Sequence, residues 1–260
     1  MKFSVCIDMM YADLTIEERI AKTAAVGADA IEFWRWSNKD IDAIAAQTKE
    51  LGLQCALMNL ESADEALSAA LLRGILSHKR IDEFVGAIHE TAPIMRKLDM
   101  TSCIVLAGDV DDAIPYDRAV DNIRETLRVG AQAAEEEGIR LLLEPLNTFD
   151  RASYVLPYSA PAFEIGRDVD SPAVGVLFDL YHTQRMEGNL IDTLTKNIDK
   201  IGHFHVAGSP WRCEPSLGEV DYKQVFAAIE AAGYTDYIGY EYRVKNPAFD
   251  LGEYIRYVKN

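Results

Sequence analysis

The feature that most constrains the fold is a repeat of form rather than of letters. An amphipathic segment, often rich in Ala and Glu, ends near a glycine or a turn, and a short apolar run follows. After an opening run FSVCI (3–7), the pattern recurs in AAVGADAIEF (24–33), KELGLQCALMN (49–59), KLDMTSCIVLAG (97–108) and EEEGIRLLLEP (135–145). It continues in DSPAVGVLFD (170–179), DKIGHFHVAG (199–208) and AAGYTDYIGYEY (231–242). Each run is short, bounded by turn residues and rich in Val, Ile, Leu or aromatics, as a strand buried on both faces requires. The intervening segments carry helical spacing: Ile16, Ile20 and Ala24 share one face, and Val120, Ile123, Leu127 and Ala131 another. Glycine just past such a segment is a common helix stop.

Eight buried strands alternating with helices in 260 residues is the count of a single α/β domain, a (β/α)8 TIM barrel spanning 1–260. A doubly wound open sheet is the alternative. It usually has fewer strands and often a Gly-rich turn after the first, whereas here DMMYADLT follows the first run. With 49% hydrophobic residues the chain can bury one large core.

In a barrel the reactive end is the mouth formed where strands run into their following loops. Four successive strands end on polar residues there: LLLE on Glu144, VLFD on Asp179, HFHVA around His205 and IGYEY on Glu241. Side chains alternate along a strand, so Leu142 shares a face with Glu144, Leu177 with Asp179, and His203 with His205. If that face is the interior, three carboxylates and an imidazole converge. Ionised together without a counter-charge they repel, and a divalent cation resolves the conflict. A single carboxylate at a strand end is ordinarily a cap or an ion-pair partner; four in succession are much harder to explain in that way. Oxygen-rich ligation with one imidazole suits Mn²⁺ or Mg²⁺, or Co²⁺, better than a structural zinc, which favours cysteine.

Charge narrows the partners. A formal net charge of −16 argues against nucleic acid and anionic membranes, which need a basic footprint. No apolar run approaches a membrane span of about 20 residues. MKFSVCIDMM is interrupted too early by Asp8 to read as a signal peptide. Cys6, Cys55 and Cys103 lie inside apolar runs, and none of these pairs with Cys213 at C-x-x-C spacing, which fits a reducing compartment. A cytoplasmic protein acting on a small molecule is the expectation. The sequence does not fix an oligomeric state, although homo-oligomers are common among barrels of this kind.

The segments LLLEPLN, FDLYHTQ, GHFHVAG and YIGYEYR, with the loop SPWRCEPSLGEVDY (209–222), resemble the xylose-isomerase-like TIM barrels, and within them the hydroxypyruvate isomerase group. The likeness covers almost the whole chain and is strongest over 139–243. It implies a divalent-metal isomerase or epimerase of a keto acid or ketose. By that likeness Glu144, Asp179, His205 and Glu241 are the metal ligands. Glu144 and Glu241 are also the proton-transfer pair, and His182 and Arg212 contact substrate. One position departs from the group: hydroxypyruvate isomerases commonly carry glutamine where this chain has His205, and histidine there is more like the sugar 3-epimerases.

The chemistry fits these residue types. Isomerisation and 3-epimerisation both begin by removing a proton beside a carbonyl, and a cation stabilises the resulting enediolate. Arg212 suits a keto acid as a bidentate clamp; its bland alternative is a loop arginine paired with Glu214 or Glu219. His182 either meets a substrate oxygen or makes a structural hydrogen bond. His203, one layer deeper than His205, reads as a core histidine. Trp34 and Trp36 read as a pocket wall or as rim packing, Asn59 is similarly open, and Glu219 and Asp150 read as solvated loop residues. Hydroxypyruvate to tartronate semialdehyde is the leading reaction, followed by a longer oxo acid or a free ketose. A ketose 3-epimerase is the alternative function. A catalytically inactive sugar-acid-binding protein and a metal-cluster phosphodiesterase rank lower.

Overall fold

In a computed structural model, which describes residues 1–259, the eight apolar runs form eight parallel strands that close into a barrel in chain order. The strands are β1 (Lys2–Cys6), β2 (Ala30–Glu32), β3 (Gln54–Asn59) and β4 (Ser102–Leu106), then β5 (Arg140–Glu144), β6 (Val174–Asp179), β7 (Ile201–Val206) and β8 (Tyr237–Tyr240). Closure is made by β1 against β8, with Phe3 opposite Ile238 and Val5 opposite Tyr240. That pairing excludes the open sheet.

The two-residue alternation sorts the strands' side chains. Outward-facing residues such as Leu141, Leu143, Val176, Phe178 and Phe204 join the main core beneath the helices. There Phe178 stacks on Phe163 at 5.9 Å and meets Phe204 edge-on at 6.1 Å. Inward-facing Leu57, Ile104, Leu142 and Leu177 form a separate apolar plug inside the barrel. Above the plug the interior turns polar. The register sets Asp179 beside His205 and His205 beside Gly239, so residues near the ends of β6, β7 and β8 lie at one level. Glu241 falls one residue past β8, but its backbone N–H still donates to Val206 at 3.1 Å.

One buried carboxylate braces the loop after β2. Glu61 accepts from Arg35 Nε (2.6 Å), the backbone N–H groups of Trp36 (2.6 Å) and Ser37 (2.9 Å), Ser37 Oγ (2.7 Å) and Ser68 Oγ (2.8 Å). Burial alone would raise its carboxyl, but the Arg35 guanidinium and the other donors hold it below its ordinary 4.5. A depressed carboxyl stabilises the fold above its unfolded value and loses that contribution as pH falls through the folded value. Glu61→Gln is therefore expected to cost about 2 kcal/mol at neutral pH. The gap from wild type should narrow in acid, as measured by urea unfolding on either side of the carboxylate range. A gap that does not change with pH would rule out the charge-based account.

Among the described residues no helix is long and apolar enough to cross a membrane. All four cysteines are free and buried.

Candidate metal centre and active site

The four polar residues expected at the mouth meet there, organised around one atom. His205 Nδ1 lies 3.5 Å from Glu241 Oε2, 3.8 Å from Glu144 Oε1 and 4.0 Å from Asp179 Oδ2. His205 is only 2% exposed, yet Nδ1 has no hydrogen-bond partner among the described residues. A buried polar atom without a partner is costly, and three carboxylates facing it would suit a shared cation. The ligand atoms of Asp179, His205 and Glu241 lie within 4.8 Å of one another, and so do those of Glu144, Asp179 and His182. The donor set therefore fits a hard divalent ion.

Local structure places each group. Asp179 ends β6 and also caps the next helix (Leu180–Met186). Its Oδ1 accepts from the backbone N–H groups of Tyr181 (2.7 Å) and His182 (3.0 Å). The other oxygen, Oδ2, turns into the mouth, 4.0 Å from His205 Nδ1, so capping leaves it available there. Glu241 is gripped at both oxygens: Trp34 Nε1 donates to Oε1 at 2.7 Å and Arg212 Nη2 to Oε2 at 2.6 Å. Glu144 lacks such donors, while Tyr154 Oη fixes its backbone carbonyl at 2.7 Å.

The electrostatics follow. Burial raises the Glu144 carboxyl. Burial likewise pushes Asp179 up to about 7. For Glu241, burial is outweighed by Arg212 and His205, which hold it low. His205 is driven well up, because Glu241 and Glu32 overcome the effect of its burial. Two glutamates in one pocket are thus pushed in opposite directions, as acid–base pairs often are.

His182 makes the structural hydrogen bond and leaves its other ring nitrogen facing the mouth. Its Nδ1 accepts from the backbone N–H of Asn147 at 3.0 Å, which assigns the proton to Nε2. Nε2 has no hydrogen-bond partner among the described residues and lies 3.6 Å from Asp179 Oδ2. Burial holds the ring well below its ordinary value, so it is neutral and offers one N–H to the mouth.

Arg212 adopts a left-handed backbone, φ 50°, in the loop after β7. It pairs with Glu241 and, at 3.7 Å, with Asp150, rather than with Glu214 or Glu219. Glu214 is buried and accepts from the backbone N–H groups of Lys245 and Asn246 at 2.7 Å each, tying the last two mouth loops together. Glu219 and Asp150 are both exposed loop residues; Asp150 also accepts from Tyr181 Oη at 2.9 Å and faces Arg212.

Glu144, Glu241, His182, Arg212 and Asp150 line a cavity of about 310 Å³ together with Trp34, Asn59, Ile104, Leu106 and Leu146. Trp34 is thus a pocket wall, whereas Trp36 packs on the core. Glu32, which the sequence expectations do not include, lies just beneath these groups. It ends β2 inside the barrel, with Oε1 2.7 Å from His203 Nε2 and Oε2 3.0 Å from His205 Nε2. The signal existed, since ADAIEF ends an apolar run on a glutamate just as LLLE does.

Comparison with known proteins agrees with this architecture. A family model described as xylose isomerase-like TIM barrel matches residues 20–260. The chain belongs to that family. Among xylose isomerase-like barrels, it is 31% identical to hydroxypyruvate isomerase of Escherichia coli K12, over 94% of this chain and 93% of that one. It is also 31% identical to 2-oxo-tetronate isomerase of Cupriavidus necator, over 93% and 92%. A crystal structure from Brucella melitensis described as AP endonuclease, family 2, superposes with a TM-score of 0.82 at 27% identity, covering 99% of this chain and 98% of that one.

Proposed function

We propose that the chain is a divalent-metal-dependent isomerase that interconverts a short keto acid and its aldehyde isomer, with hydroxypyruvate and tartronate semialdehyde as the leading pair. The observation that carries this reading is the unpartnered His205 Nδ1, within 4.0 Å of three carboxylates and beside a cavity that holds an arginine. Two relatives bearing isomerase names, each aligned over more than nine-tenths of the chain, support it.

Glu144, Asp179, His205 and Glu241 would hold Mn²⁺, Mg²⁺ or Co²⁺. When bound, such an ion supplies Lewis acidity that offsets the negative charge developing on the substrate's carbonyl oxygen. The chain's own groups then move the proton. One of Glu144 and Glu241 takes a proton from the hydroxymethyl carbon, giving an enediolate. A proton is returned to the former carbonyl carbon, and the hydroxyl proton passes between the two oxygens. The His182 Nε2–H is placed to donate to one of those oxygens. Arg212 presents its fork to the substrate carboxylate, and Trp34 walls off water.

One observation favours a second reading, a 3-epimerase acting on a free ketose. Arg212 already faces two carboxylates, Glu241 and Asp150, and a neutral sugar would leave those pairs intact. A nuclease is disfavoured. The three arginines that line the cavity are each paired, Arg35 with Glu61, Arg151 with Asp109 and Arg212 with Glu241, and the net charge of −16 repels phosphates.

Proton exchange followed by NMR in D₂O tests the proposal, with Mn²⁺ or a chelator present. Deuterium entering hydroxypyruvate only with the metal is the expected result. Exchange confined to C3 of a ketose moves the function to the epimerase. Metal binding with no exchange in any oxo acid or ketose leaves a binding protein.

A further inference from the structure

Five residues from four strands build a polar device beneath the mouth, and the mechanism above uses only one of them. Glu32 of β2 extends across the barrel toward β7. Its Oε2 lies 3.0 Å from His205 Nε2 and its Oε1 lies 2.7 Å from His203 Nε2. From β1, Ser4 Oγ donates to Oε1. All four of these side chains are buried. On β8 the recess is completed by an absence of side chain: a Cβ at Gly239 would lie 2.4 Å from Glu32 Oε1 and 2.6 Å from Oε2. Ser4, His203 and the glycine fix where the carboxylate sits, and that place is against the far nitrogen of His205.

The geometry decides which face of His205 the site receives. An imidazole that donates its Nε2 proton to a carboxylate presents the Nδ1 lone pair in the opposite direction, and such an outer partner also strengthens the ring as a ligand. Nδ1 is the atom that stands unpartnered among Glu144, Asp179 and Glu241. We propose that Glu32 is a positioning residue, which holds His205 in the Nε2-protonated form and presents Nδ1 as the ligand atom. This inference rests on the metal reading above. Ser4 and His203 serve it by holding Glu32, and Gly239 by making room.

The test is Mn²⁺ titration of the whole protein, read by the electron paramagnetic resonance of free Mn²⁺, for wild type, Glu32→Gln and His203→Gln. Wild type should bind one ion. Glu32→Gln should weaken binding by roughly 10- to 100-fold, and His203→Gln, whose amide N–H can still donate to Glu32 Oε1 and keep it in place, should stay within about threefold of wild type. A second readout needs no change at Glu32: long-range ¹H–¹⁵N spectra of Mg²⁺-loaded wild type should show His205 protonated at Nε2. That spectrum decides the matter if Glu32→Gln does not fold. The inference fails if Glu32→Gln binds Mn²⁺ like wild type, if His203→Gln is equally impaired, or if the His205 proton is on Nδ1. Two ions bound to wild type, one of them lost in Glu32→Gln, would make Glu32 a ligand and overturn the positioning role. No Mn²⁺ bound by wild type would overturn the metal reading and this one with it. Binding by wild type that is indifferent to Glu32 would overturn this one alone.

Discussion

Glu144→Gln and Glu241→Gln should each lower kcat on the true substrate by roughly 10³-fold, within the range that a lost general acid or base costs. Glutamine keeps the volume and shape of the side chain, so neither change opens a cavity. What goes is the capacity to carry a proton, and with it one negative charge of the ligand set. The two variants should differ in stability. Glu144 is a buried carboxylate whose burial raises its pKa, and replacing it with a neutral group relieves a cost; its melting temperature should hold or rise. Glu241 balances Arg212 at 2.6 Å and receives Trp34 Nε1 at 2.7 Å, so Glu241→Gln leaves a buried guanidinium short of a partner and should melt lower. Steady-state rates, solvent deuterium exchange and thermal unfolding on the same samples check all of this. Retention of more than about a tenth of wild-type kcat in either variant would remove that residue from the proton-transfer pair.

Arg212→Met should lower kcat/KM for hydroxypyruvate by about 100-fold, the worth of a forked, charge-assisted contact with a carboxylate. The same change frees Glu241, so a fall in rate alone would be ambiguous. The informative quantity is the ratio between a keto acid and a neutral ketose. If the guanidinium grips the substrate carboxylate, only the keto acid loses heavily. If its task is to hold Glu241, both substrates fall together, and the keto-acid reading loses its main support. Arg212→Lys refines the comparison, since a single ammonium keeps the charge but not the fork.

The barrel was legible because its two governing periods are local. Strand alternation and helical spacing are written within a few residues, and the alternation puts Glu144, Asp179 and His205 on the same faces as Leu142, Leu177 and His203, two of which prove to be part of the interior plug. The convergence of four successive strand ends needed only the rule that parallel barrels open at one end. What escaped was non-local. Glu32 and His205 are separated by 173 positions, and nothing near either one signals the contact. Arg212 was found, but its partners were sought nearby at Glu214 and Glu219, whereas the loop's left-handed turn carries the guanidinium to Glu241 and Asp150. Asp150 is the exposed loop residue its sequence suggests, but a distant arginine and Tyr181 also arrive beside it. Asp179 shows a different limit. Capping need not exclude a second role, because a carboxylate has two oxygens: Oδ1 accepts from the Tyr181 and His182 backbone N–H groups while Oδ2 faces the mouth.

The recess opposite Glu32 also limits which changes this barrel can accumulate, and in what order. Gly239 and Glu32 are locked as a pair. Any side chain at 239 meets the glutamate oxygens at 2.4 to 2.6 Å, and those oxygens are held by two imidazoles and a hydroxyl. A lineage that first gains alanine at 239 displaces Glu32 before anything can replace it, whereas one that first shortens position 32 removes the three nearest contacts before the glycine is filled. The glycine should therefore be hard to replace for as long as the glutamate opposite it stays.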